Sequence, residues 1–277
     1  MLIGGGGRCQ KGKTRMCRWV AYCGHPIFLE DFVSRPSQSL VAQSLRCREA
    51  KVEVNADGFG LGWYGERATP GVFRDIRPAW SDDNLLSLAH QIKSRLFLAH
   101  VRASTGTATT RANCHPFTVG PWLFMHNGQV AGWERVRRRV EAAIPDDLFR
   151  ERVGTTDSEA LFLLMLAHGL DRDPQAATEA VIALVETEMR RANITEPFKF
   201  TSAFTDGRKL YAVRYSSDGV PPTLYTKPCP ESSGVLVASE PLETGTDHWT
   251  AVRAQSFVTV DATRIETRAF GRELVGA

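Results

Sequence analysis

The first fifteen residues, "MLIGGGGRCQKGKTR", show no core-forming pattern, and the text changes at Cys17. "CRWVAYC" is a short apolar and aromatic run of the kind that makes a buried strand. "NADGFGLGWYG" reads as a glycine-punctuated turn leading into a second strand. "DDNLLSLAHQIKS" has helical spacing, whereas "RLFLAHVRAST" and "PWLFMHNGQV" are apolar strands that end in polar residues. Two long helices follow. "TTDSEALFLLMLAHGL" can be capped by Thr156 or Asp157 and stopped by Gly169, and "PQAATEAVIALVETEMRRA" is opened by Pro174. The runs "FKFTSAFTD", "KLYAVRYS", "PTLYT", "GVLVASE" and "AQSFVTVD" then predict further strands. Strands, two consecutive helices and strands again is not the alternation of a parallel doubly wound sheet. It predicts antiparallel sheets with helices in separate layers. With no internal repeat and no long linker, 17–277 reads as one domain, and 1–16 as a leader, a tag or a mis-assigned start.

Composition narrows the classes. The chain has 277 residues, 43% of them hydrophobic, enough for a sizeable core. The first 16 residues hold four of the 34 basic groups and none of the 31 acids, so the remainder is close to neutral, at −1. A balanced body predicts no nucleic-acid partner. The cluster Arg135 with Arg137, Arg138 and Arg139 reads as a solvated helix face. Six cysteines with no C-x-x-C pair argue against zinc and fit a reducing compartment. No apolar run is long enough to span a bilayer, and the leader lacks the apolar segment of a secretory signal. A cytoplasmic protein without a membrane partner is expected, so the sequon at Asn193 carries no sugar.

One motif is a decoy. Gly60-Leu-Gly62-Trp-Tyr-Gly65 fits G-x-G-x-x-G, but "ERATPGVFRD" follows, where a dinucleotide fold needs a helix opening on the glycines. Three further features each have a plain structural reading. Arg102 ends a strand, Asn127-Gly128 resembles a hairpin turn, and Asp157 suits a helix cap. Cys23 reads as core. Cys114 and His115 are adjacent and so point to opposite faces of an extended chain. His100 and His126 read first as packed, hydrogen-bonded core residues. Met16-Cys17 changes the balance. A cysteine freed of its methionine carries a nucleophile and, in its α-amine with a pKa of about 7.7–8.0, a base on one residue.

Taken in order, these segments resemble the class II glutamine amidotransferases of the N-terminal nucleophile (Ntn) hydrolases. Cys17 matches the N-terminal nucleophile, and "NADGFGLG" the Asp/Gly turn at Asp57 and Gly60. "HVRAST" matches the arginine strand, "HNGQV" the His-Asn-Gly motif and "TTDSEA" the acidic helix start. The resemblance implies an α+β fold, a four-layer αββα sandwich of two antiparallel sheets. It implies that Arg102, with Thr105 beside it, holds the α-carboxylate of a small γ-glutamyl substrate. Asp157 would hold its α-ammonium, and the Asn127 side chain and Gly128 N–H would face the oxyanion. The activity implied is hydrolysis of the γ-glutamyl amide through a thioester, with no metal or organic cofactor, and with a synthase partner as a possible receiver of ammonia. Ala103 and Gly106 stand where many members carry Trp and His. This places the chain nearer the stand-alone branch that includes γ-glutamyl amidases of ergothioneine and glutathione metabolism. Two other readings stay open: a non-catalytic γ-glutamyl sensor, and a Cys–His thiol hydrolase using Cys114 or Cys47.

Overall fold

The computed structural model describes residues 17–49, 57–103, 108–244 and 248–270, the side chains of 46–49 excepted. The expectations for 1–16, Thr105, Gly106 and Cys47 therefore lie outside the described residues or side chains. Two antiparallel sheets lie face to face. The first holds β1 (Arg18–Phe28), β2 (Phe59–Trp63), β3 (Gly71–Asp75), β4 (Lys93–Val101), β9 (Tyr225–Cys229), β10 (Gly234–Ala238) and β11 (Thr250–Ala251), in the order β11-β9-β10-β1-β4-β2-β3. The second holds β5 (Phe117–Val119), β6 (Trp122–Gln129), β7 (Lys199–Thr205), β8 (Leu210–Ser216), β12 (Ser256–Asp261) and β13 (Arg264–Ala269), in the order β13-β12-β8-β7-β6-β5.

Helices cover both outer faces. α1 (Glu30–Val33), α2 (Leu40–Glu49) and α3 (Asp83–Gln91) lie on the first sheet; α4 (Trp133–Glu141), α5 (Asp146–Phe149), α6 (Asp157–Ala167) and α7 (Pro174–Arg191) lie on the second. The result is the four-layer αββα sandwich, built on alternation of side chains. Along β1, Trp19, Ala21 and Cys23 join the core between the sheets, while Val20 and Tyr22 join the helix-side core. Along β6, Leu123 and Met125 face inward and Phe124 faces the helices. Each leucine or valine buried between the sheets contributes roughly 1.5–3 kcal/mol. Period two, continued to both ends of this pattern, puts Cys17 and Asn127 on facing inner surfaces.

The two long helices form where the sequence predicts. Thr156 Oγ1 accepts the Glu159 N–H at 3.2 Å and caps α6, and Gly169 follows it at φ +85°. From Ser158 to Met165 every residue of α6 is buried, so this helix is sandwiched between α7 and the second sheet. The Asn127-Gly128 hairpin reading is overturned. Both residues lie inside β6, paired with Thr201 and Phe200 of β7, and the chain runs on into α4. Two glycines of the decoy motif, Gly60 and Gly62, have a packing role instead. A Cβ at Gly60 would come within 2.1 Å of the His115 carbonyl, and one at Gly62 within 2.8 Å of Pro116. Only bare backbone on β2 lets the 114–116 segment lie between the sheets. Among the described residues no helix is long and apolar enough to cross a membrane.

Candidate active site

Cys17 sits one residue before β1, the central strand of the first sheet, and its sulfur is bracketed by one residue of the segment that follows β4. The Ala103 N–H donates to Sγ at 3.4 Å and the thiol donates to the Ala103 carbonyl at 3.6 Å. Burial pushes the Cys17 thiol up, opposed by the bond from Ala103 and by the positive charges of Arg102 and Arg18. Arg102, just past β4, is 3% exposed. Its guanidinium donates to the carbonyls of Asp57 and Ala108, both at 3.3 Å, and its backbone N–H to Gly58 at 2.8 Å. The Asp/Gly turn before β2 thus holds the arginine through backbone oxygens.

β5 pairs only with Trp122 to Phe124, so among the described residues the remainder of β6 has a strand on one edge alone. Gly128 is fixed as glycine by crowding: a Cβ there would meet the Lys199 carbonyl at 2.0 Å and His126 Nε2 at 2.5 Å. Asn127 is 4% exposed. His126 lies on the opposite, helix-facing side. Its Nδ1 is 2.9 Å from Ser158 Oγ and its Nε2 3.2 Å from the Lys199 carbonyl. Ser158 in turn reaches Asp157 Oδ1, through its N–H at 2.7 Å and its hydroxyl at 3.2 Å. Asp157 Oδ2 accepts the Val130 N–H at 2.9 Å. One connected set of hydrogen bonds therefore ties the strand carrying Asn127 and Gly128 to the helix carrying Asp157. From sequence, His126 reads as a packed residue that also flanks the site; its bridge to Ser158 follows from the fold of α6 back onto β6.

Cys17, Arg102, Gly128 and Asp157 all line one cleft of about 450 Å³, with Ala103, Asn113 and His115 among its other walls. Asn127 directs its side chain to the inner side of β6 beside this cleft but is not among its lining residues. A buried cation, a carboxylate and a nucleophile in one cleft are the groups needed to hold a zwitterion and present its side chain to sulfur. Cys114 is outside the cleft. Its thiol donates to the carbonyls of Asp75 and Thr110, and burial, first among the causes, pushes it up to about 11. That leaves it an inert core thiol, against the Cys114 version of the thiol-hydrolase reading. Cys23, at 5% exposed, is core as expected. Among the described residues no His, Cys, Asp and Glu cluster has the arrangement to hold a metal ion.

His100 and His115 pack ring on ring with centroids 4.3 Å apart; the His100 ring interacts with the His126 backbone, and among the described residues neither nitrogen of the His115 ring has a hydrogen-bond partner. Burial holds both rings neutral, lowering His100 to about 3 and His115 well below 6.5. An unfolded histidine titrates near 6.5, so the unfolded state binds more protons below that pH and stability is lost as pH falls. Each ring costs up to about 1.4 kcal/mol per pH unit below 6.5, or roughly 4 kcal/mol for the pair at pH 5. Urea unfolding midpoints are therefore expected to drop sharply between pH 7 and 5; a flat profile would show the rings to be protonated in the native state.

Residues 32–220 match the model of the class II glutamine amidotransferases. The chain is 30% identical to the probable glutamine amidotransferase DUG3 of Saccharomyces cerevisiae, over 88% of this chain and 82% of that protein. It is 32% identical to the γ-glutamyl-hercynylcysteine sulfoxide hydrolase of Mycolicibacterium smegmatis, over 82% of this chain and 88% of that one. Among solved structures, a glutamine aminotransferase class-II domain protein from Silicibacter pomeroyi is 40% identical, with a TM-score of 0.74 over 92% of this chain and 100% of that chain. The glutamine phosphoribosylpyrophosphate amidotransferase of B. subtilis, at 14% identity and a TM-score of 0.58 over 92% of this chain and 49% of its own, shares the fold.

Proposed function

The chain belongs to the class II glutamine amidotransferase family, and on that premise we propose that it hydrolyses the γ-glutamyl amide of a small γ-glutamyl compound with Cys17 as nucleophile. The observation that carries this reading is the cleft shared by Cys17, Arg102, Gly128 and Asp157, drawn from four separate segments. In the form that begins at Cys17, the α-amine takes the thiol proton and the thiolate attacks the γ-carbonyl carbon. Arg102, with Thr105, holds the substrate's α-carboxylate, and Asp157 holds its α-ammonium. The Asn127 side-chain amide and Gly128 N–H receive the oxyanion, one such donor being worth about 10²–10³ in rate. The C–N bond then breaks, and the leaving amine or ammonia takes the proton back from the α-ammonium. Water adds to the thioester, glutamate leaves and the thiol is restored. The hydrolase relative named for a γ-glutamyl conjugate supports a substrate other than free glutamine.

The test is a panel of γ-glutamyl amides offered to protein that starts at Cys17, read as glutamate release. Release from none of them would overturn the proposal, and a γ-glutamyl-binding protein without turnover would replace it. Within the panel, Asp157→Asn keeps an acceptor for the Val130 N–H but removes the charge. It is expected to lower kcat/KM by about 10–100-fold, mainly through KM, as for a lost charge-assisted hydrogen bond.

A further inference from the structure

Arg102 and Asp157 are joined through one side chain. Asn113 ends the short turn Arg111–Asn113, lines the cleft and is 2% exposed. Both ends of its carboxamide are engaged. Nδ2 donates to the Ala108 carbonyl at 2.9 Å and to Thr155 Oγ1 at 3.2 Å, and Oδ1 accepts the Thr155 N–H at 2.8 Å. The Ala108 carbonyl is the same oxygen that takes the Arg102 guanidinium, through Nη2. Thr155 leads through the cap residue Thr156 to Asp157, the first residue of α6. One amide thus ties the oxygen that steadies the cation to the backbone that delivers the carboxylate. Two further features fix that amide in place. Arg111, in the same turn, donates to Asp75 Oδ2 on β3 through Nε at 3.2 Å and Nη2 at 2.7 Å, which anchors the turn to the first sheet. Gly154 lets the segment before α6 come close, since a Cβ there would lie 2.6 Å from Asn113 Oδ1. Only a carboxamide brings donor and acceptor together at this length; aspartate lacks the N–H groups and serine lacks the reach.

Resting on the hydrolase reading above, we infer that Asn113 is a positioning residue that sets the separation of Arg102 and Asp157. The Val130 N–H orients the Asp157 carboxylate against β6. Asn113 registers it against Arg102, across the gap between the first sheet and the helix on the second. The spacing matters because the substrate's two charged groups share one carbon. The ammonium nitrogen and the carboxylate carbon lie about 2.5 Å apart. A clamp that drifts by about 1 Å holds one of them and loses the other, an error that can cost about 100-fold. Asn113 acts through Ala108 and Thr155, so its loss weakens recognition of the doubly charged end and leaves the chemistry at sulfur alone.

The experiment uses protein that starts at Cys17 and two pairs of compounds that differ only in the α-ammonium. One is γ-glutamylglycine with glutarylglycine, read as glycine release; the other is glutamine with glutaramate, read as ammonia release. The unsubstituted chain is expected to prefer the ammonium form by about 10–100-fold in kcat/KM. Asn113→Ala is expected to bring that preference within about threefold, chiefly through a higher KM for the ammonium form. Asn113→Asp keeps the acceptor for the Thr155 N–H and loses both donors; it is expected to show an intermediate preference, and it decides the matter if the alanine variant does not fold. Added to Asp157→Asn, Asn113→Ala is expected to cost less than about threefold more on the ammonium form, because both changes act on one contact. Equal losses on both members of a pair, with the preference kept, would make Asn113 a residue of the fold alone and overturn the inference while the hydrolase reading stands. Full additivity with Asp157→Asn would overturn it in the same way. Release from none of the compounds would overturn the hydrolase reading and this inference with it.

Discussion

Protein that begins at Cys17 is expected to release glutamate about 10²–10⁴ times faster than the same chain with residues 1–16 still attached. The factor is that of a positioned general base. With the leader attached, the Cys17 nitrogen is an amide and accepts no proton. Burial has already pushed the thiol up, so little of it ionises unaided. Nor does a neighbouring imidazole replace the amine in this design. Burial makes His100 and His115 poor bases, and His126, which also lines the cleft, is committed to Ser158 and the Lys199 carbonyl. The comparison needs intact-mass spectra of both preparations beside their turnover numbers. Equal turnover in material whose mass retains 1–16 would remove the α-amine from the mechanism.

Replacing the sulfur is the second large effect. Cys17→Ala and Cys17→Ser, each starting at residue 17, are expected to lose more than roughly 10³-fold in kcat. They should lose little in stability. The sulfur's contacts in the fold are two long, weak bonds with Ala103, at 3.4 and 3.6 Å, worth at most about 1 kcal/mol together. Trp19, two residues on, carries the packing between the sheets. Thermal unfolding should therefore hardly move while glutamate release disappears. Retained turnover in the alanine variant would transfer the chemistry to another group.

The sandwich was legible because its central strands are long apolar runs and its two principal helices carry their own caps. The elements that escaped notice are those with weak patterns. β13, "RIETRA", is a half-exposed edge strand, and β3, "GVFRD", follows a proline-glycine turn that looks like loop. α2, "LVAQSLRCRE", mixes polar and apolar positions with little facial bias. The run "PTLYT" pointed to a strand near 222–226, but pairing with β10 begins only at Tyr225. For the site, it was the resemblance to the family that singled out Cys17, Arg102, Gly128 and Asp157, which share a cleft. Asn127-Gly128 was ambiguous because its turn chemistry is real in isolation. Pairing with β7 decides the conformation, and that pairing is invisible locally. His126 was legible as a flank of the site, but its bonds to Ser158 and Lys199 had no local signal, since they depend on which helix folds back on which strand.

The strand that follows Cys17 has a place in time as well as in space. Val20 of β1 is partnered by Ala238 of β10, and Trp19 exchanges hydrogen bonds with Ser239. Cys17, the proposed nucleophile, is thus synthesised early and is among the last parts of the site to be walled in. A polypeptide halted before about residue 240 holds every residue of the cleft yet leaves one flank of its innermost strand bare. Such separations in sequence make for slow closure and a window of exposure to aggregation. On the proposed mechanism they also delay Cys17, whose competence would wait on completion of nearly the whole polypeptide.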